Sequence, residues 1–126
     1  MTDTNCVVVC GRLTEGITEK NFGYVGNGVA RLSLSLAVNR SYKQNEQWVE
    51  ETSFFEAQIW GKFAESLKEK VEKGKQVIVS GELRQDRWKD NNGNNKSRIY
   101  IVANSVQFVG GKNQQDNAEE ENPFGN

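Results

Sequence analysis

The sequence predicts an all-β domain closed into a small barrel, with one short helix between its third and fourth long strands. Three observations carry that expectation. In residues 29–38, Leu32, Leu34 and Leu36 alternate with Ser33 and Ser35, the two-residue period of a half-buried strand. In residues 51–60 the same period sends Ser53, Phe55, Ala57 and Ile59 to one face, the natural core face, and Thr52, Phe54, Glu56, Gln58 and Trp60 to the other. Only over residues 62–73 does a helical spacing replace it, with Phe63, Ala64, Leu67 and Val71 on one side and Gly74 as the left-handed stop.

The elements follow in order. Residues 5–13 are apolar and β-branched and form the first strand. Its run Cys6-Val7-Val8-Val9-Cys10 reads as buried, with both cysteines reduced in the core, since four strand steps hold their α-carbons about 13 Å apart, beyond disulfide reach. Gly16, Gly23, Gly26 and Gly28 punctuate the next stretch, with a short pairing at Phe22 to Val25 and a turn at Gly26-Asn27-Gly28. After the strands at 29–38 and 51–60 and the helix, residues 75–83 return to strand. Residues 84–97 are a polar excursion around Asp90-Asn91-Asn92-Gly93, and 98–109 are the last strand. Five substantial strands with a helix between the third and fourth are the element order of an OB-fold, a five-stranded Greek-key barrel whose face and loops bind oligonucleotides or oligosaccharides.

The chain has 126 residues, 36% of them hydrophobic and 26% charged, enough for one core and too few for two. The expected division is a domain at 1–111 and a flexible acidic tail at 112–126, where nothing apolar larger than Ala118 appears before Pro123-Phe124. All 16 Lys and Arg precede residue 113 together with 13 of the 17 acidic residues, so residues 1–112 carry +3 and residues 113–126 carry −4. A basic body suits a polyanion. No apolar run approaches the roughly 18 residues of a membrane span and no signal-peptide pattern opens the chain, so a cytoplasmic location without membrane contact is expected. The chain has no histidine, which removes the commonest general base, the usual triads and most zinc sites. Glu50, Glu51 and Glu56 have no nucleophile, metal ligand or glycine-rich phosphate loop beside them. The expectation is no enzyme, no catalytic residue, no metal and no cofactor.

Candidate binding residues are aromatics in polar settings. Phe54 and Trp60 share a face otherwise made of Glu and Gln, which suits stacking of unpaired bases and equally suits covering a barrel end or a subunit contact. Trp88 lies between Arg87 and Lys89 ahead of a polar turn, as single-strand binders require, unless the hairpin folds back over it. Tyr42, between Arg40 and Lys43, has a similar setting. Trp48 lacks a basic neighbour in sequence and reads as core or loop packing. The lysines at 62, 68, 70, 73 and 75 interleave with Glu65, Glu69 and Glu72 and read mostly as a solvated, paired helix face.

Together with the order of elements, four stretches resemble the bacterial single-stranded DNA-binding proteins of replication, recombination and repair. These are Glu51-Thr52-Ser53-Phe54-Phe55, Trp60-Gly61-Lys62-Phe63-Ala64-Glu65, Lys73-Gly74-Lys75-Gln76-Val77, and Gly81-Glu82-Leu83-Arg84 followed by Arg87-Trp88-Lys89-Asp90. The resemblance covers roughly residues 5–111. It departs at Arg12-Leu13-Thr14-Glu15-Gly16, where the family has Asn-Leu followed by Gly and Asp-Pro, so the chain resembles a divergent member. The resemblance implies base stacking by Tyr42, Phe54, Trp60 and Trp88 and phosphate contacts from Lys43, Lys62, Lys73, Arg84 and Arg87. It implies a homotetramer with first strands paired across subunits, and Phe55 stands where a histidine often lies near a subunit contact. It also implies that the acidic tail, through Pro123 and Phe124, recruits replication and repair proteins. Gly125 and Asn126 follow Phe124, so either partners accept the extension or recruitment is weaker. The implied function is sequence-independent binding and protection of single-stranded DNA by a cytoplasmic, nucleoid-associated protein. A primosome-type bridge and an OB-type RNA-binding or assembly module are the alternatives.

Overall fold

The alternating Leu and Ser residues become the first half of a long strand, because Ala30, Leu32, Leu34 and Leu36 all fall on its inner side and are buried. In the computed structural model, which describes residues 2–109, six strands surround this row. They are β1 (Val7–Leu13), β2 (Phe22–Val25), β3 (Val29–Gln44), β4 (Gln47–Trp60), β5 (Gln76–Lys89) and β6 (Asn95–Phe108), with helix α1 (Gly61–Leu67) after β4. The strand order is β1-β5-β6-β4-β3-β2. Pairing of Arg12 with Ala37 and of Leu13 with Leu36 returns β1 to β3 and closes a five-strand barrel, while short β2 is an extension on β3. Gly11 sits at that closure, where a Cβ would lie 2.8 Å from the Ala37 carbonyl oxygen. The expected OB-type barrel is present, with its helix in the expected interval.

The core is aliphatic. Leu32, Leu36, Ile59, Val77 and Val79 are fully buried, and Ala64, Leu67 and Val71 close one end. Burying one such Leu, Ile or Val side chain is worth roughly 1.5–3 kcal/mol. Helix α1 is shorter than the spacing predicts. It ends at Leu67, a 3₁₀ turn covers Lys68–Lys70, and Val71 reaches the core in an extended conformation. Gly74, at φ 89, therefore closes a separate turn in which the Lys75 N–H donates to the Glu72 carbonyl.

Four other expectations are corrected. Cys6 and Cys10 are free as expected but exposed, because Val7 and Val9 face the barrel and the alternating positions face outward. The stretch 84–97 is no loose excursion but the far half of a β5–β6 hairpin, paired from Arg84↔Tyr100 to Lys89↔Asn95. Its tip is tied by Asp90, whose carboxylate accepts from the Asn92 and Asn94 N–H groups. Likewise β3 and β4 run past the barrel to a two-residue turn, Asn45-Glu46, with φ 52 and 67, the left-handed pair a tight hairpin requires. The helix-region lysines make no ion pair among the described residues. Lys68 lies over the Phe22 ring, Lys75 over Phe108, and Glu65 instead accepts from the Tyr24 hydroxyl.

Candidate nucleic-acid interface

Directly opposed residues of paired strands share a face, so the register decides which side chains meet. On β3 and β4 the outward pairs include Arg31↔Trp60, Ser33↔Gln58, Ser35↔Glu56, Ala37↔Phe54, Asn39↔Thr52 and Lys43↔Trp48. The parallel pairing Gln58↔Val102 carries this face to β6, and Glu82↔Val102, Arg84↔Tyr100, Asp86↔Arg98 and Trp88↔Lys96 carry it on to β5. Phe54, Trp60 and Trp88 therefore lie on one continuous outer sheet face, 66%, 43% and 48% exposed. The hairpin does not fold back over Trp88.

The remaining candidates are distributed differently. Tyr42 opposes Val49 and points to the other side of the β3–β4 hairpin, where Arg40 lies 4.5 Å from its ring centre. Arg87 opposes Ser97, also on the inner side. Arg84 and Lys43 belong to the outer face. Lys62 is the second residue of α1, just past the corner that Gly61 makes after Trp60 with φ 73, and Lys73 sits in the turn before β5. Pro123 and Phe124, with the tail and the boundary at residue 111, lie outside the described residues.

Sequence reading missed four members of this face. Trp48, expected to be packed, is 70% exposed, and the cation it lacks in sequence arrives across the strand, with the Lys43 Nζ 5.8 Å from its ring centre. Arg31 stands across from Trp60, and Lys96 and Arg98 flank Trp88 from β6. Only Arg31 had a usable signal, its place in the alternation with Ser33 and Ser35.

The cations divide into held and free. The Arg84 guanidinium lies 2.9 Å from Glu82, and Arg98 bridges Glu56 at 3.4 Å and Asp86 at 3.5 Å. Arg31, Lys43, Lys62, Lys73 and Arg87 make no ion pair among the described residues. The floor between them is polar, with Gln58 buried and donating to Glu56 at 3.1 Å. The Tyr24 phenol is pushed up from its usual range, first by its hydrogen bond to Glu65. Among the described residues no cluster of three or more His, Cys, Asp and Glu is placed to hold a metal ion, and no helix is long and apolar enough to cross a membrane.

A closed OB-type barrel with exposed aromatics and cations on one strand face defines a class of nucleic-acid-binding barrels. Within that class, the pattern of the single-strand binding protein family matches residues 4–109, and the chain belongs to that family. It is 43% identical over 110 residues to the single-stranded DNA-binding protein of Treponema pallidum, covering 87% of this chain and 60% of that protein. It is 39% identical over 115 residues to that of Borreliella burgdorferi, covering 90% of this chain and 75% of the relative. Among solved structures, the Plasmodium falciparum SSB in complex with ssDNA superposes with a TM-score of 0.75 at 21% identity, covering 86% of this chain and 97% of that one. A deletion variant of the Thermus aquaticus single-stranded DNA binding protein gives 0.74 at 25% identity, covering 86% of this chain and 52% of that one.

Proposed function

We propose that this chain binds single-stranded DNA without sequence preference, protecting it in replication, recombination and repair. One observation carries the reading: Phe54, Trp60 and Trp88 stand exposed on a single sheet face interleaved with cations. A ring so placed stacks on any base, while Lys and Arg take the phosphates and release counterions. Family membership and the relatives' names support the same ligand. In this reading Lys43 and Arg84 contact phosphate from the sheet, Lys62 and Lys73 from the helix and turn, and Arg87 from the inner side. Tyr42 faces that inner side too, so it stacks only if the strand turns round the β3–β4 hairpin.

The reading includes a homotetramer. β1 pairs with β5 along Val7 to Arg12 but with β3 only at Arg12 and Leu13, leaving the other edge of Val7 to Cys10 open among the described residues. Beside it Val7, Val9, Phe55, Leu83 and Ile99 line an apolar hollow of about 400 Å³, with Ile99 63% exposed. Such a surface favours a second copy. The acidic tail, through Pro123 and Phe124, recruits replication and repair proteins, and a cytoplasmic, nucleoid-associated location accompanies these roles.

The test is a titration of tryptophan fluorescence with oligo-dT of increasing length at two salt concentrations, with mass measured by light scattering. Deep, salt-sensitive quenching on a tetramer is the expected result. Weak quenching, or stronger binding to oligo-U, would move the chain towards the bridging or RNA-binding alternatives.

A further inference from the structure

Strand β4 carries large aromatics at Trp48, Phe54 and Trp60, six residues apart each time and all on the outer face. At about 3.3 Å per residue the steps are each ~20 Å. The strand thus presents an evenly spaced row from the barrel to the tip of the β3–β4 hairpin. Trp48 is the most exposed of the three at 70%. No apolar side chain of the opposite strand covers it. Its cross-strand partner is Lys43, while Glu50, two positions along on the same face, opposes Ser41. A cation on one side of the ring and a carboxylate towards the barrel leave phosphate one favourable place, beside Lys43.

We propose that Trp48 is a further base-stacking residue, extending the single-strand path ~20 Å beyond Phe54 onto the hairpin tip. This rests on the reading of the outer face as the DNA-binding surface. It commits that tip to single-stranded DNA rather than to a protein, because the Trp48 face is continuous with Phe54 and its nearest cation makes no ion pair among the described residues. Pairing of β3 with β4 continues through Gln44↔Gln47, which fixes the side of the hairpin on which the ring stands.

The chain has three tryptophans, so the full-length variant Trp60→Phe with Trp88→Phe leaves Trp48 as the sole strong emitter. Its emission is followed while end-labelled oligo-dT is added, with anisotropy reporting binding in parallel. Quenching of Trp48 on saturation is expected. In the otherwise unchanged protein, Trp48→Ala should lower affinity on the order of 10-fold for oligonucleotides long enough to reach the tip and leave the shortest binders unaffected. Saturated anisotropy with unchanged Trp48 emission would overturn the proposal, as would equal affinity of Trp48→Ala at every length. Loss of the native assembly mass in Trp48→Ala would also overturn it, assigning the ring to a subunit contact. If the unmodified protein shows no anisotropy change with any oligonucleotide, the underlying DNA-binding reading falls, an outcome distinct from failure of Trp48 alone.

Discussion

Phe54, Trp60 and Trp88 are candidates because each keeps 43% to 66% of its surface exposed on a face whose other members are mostly polar or charged, Arg31, Glu56, Gln58 and Lys96 among them. Alanine at any one should weaken oligo-dT binding by about 1–3 kcal/mol without changing the circular dichroism spectrum. Tyr42→Ala should matter only for oligonucleotides long enough to round the hairpin, because its ring is on the other side. The cations should separate by pairing. Each phosphate neutralised adds about 0.7 to the slope of log affinity against log salt on single strands. Lys43→Ala should reduce the slope by about that amount. Arg84→Ala should reduce it less, since Arg84 already sits on Glu82 at 2.9 Å and exchanges one anion for another.

At the scale of elements, the barrel depends on where strands bend. Opposite Ser80 and Gly81 the β5–β6 register slips, so that Ser105 and Ala103 are partners of adjacent residues and Asn104 is left over as a bulge. A Cβ at Gly81 would overlap the Val102 carbonyl oxygen and lie 2.9 Å from the Ala103 Cα, backbone that cannot step aside. Gly81→Ala should therefore destabilise the fold by roughly 1–3 kcal/mol in urea denaturation, with secondary effects on binding because Glu82 to Trp88 follow directly. The elements themselves were legible from periods of two and 3.6 residues. Their ends were not. The alternation in β3 loses its apolar members after Val38, yet hydrogen bonding continues to Gln44, because the turn at Asn45-Glu46 lets polar strands zip without a core beneath them.

At the scale of the molecule, the described residues present two surfaces with different chemistry, an outer face of rings and cations and an inner apolar hollow beside the open edge of β1. If the proposed tetramer forms through that hollow, Ile99→Arg should give smaller species by light scattering while leaving the outer face intact, since Ile99 points away from it. Binding should be flat between pH 6 and 7.5, because the chain has no histidine to titrate there. At strongly alkaline pH the opposite holds for the β2–α1 contact. The Tyr24 phenol is raised by the bond it donates to Glu65, so that bond is present below the usual tyrosine range and lost as pH rises through the raised value.

By itself the sequence determined the barrel class, the helix and its place, the absence of histidine chemistry, and three of the rings that share the outer face. A two-residue period says which side chains share a face of one strand. It does not say whether that face is covered, because cover comes from strands distant in the chain. Tertiary structure alone decided that Cys6 and Cys10 are exposed and that Phe55, on the core face by period, projects past the barrel into an apolar hollow. It also decided that Tyr42 turns away while Trp48 joins Phe54. Register across the hairpin supplies Trp48 with Lys43, five positions away in sequence and directly opposite in space.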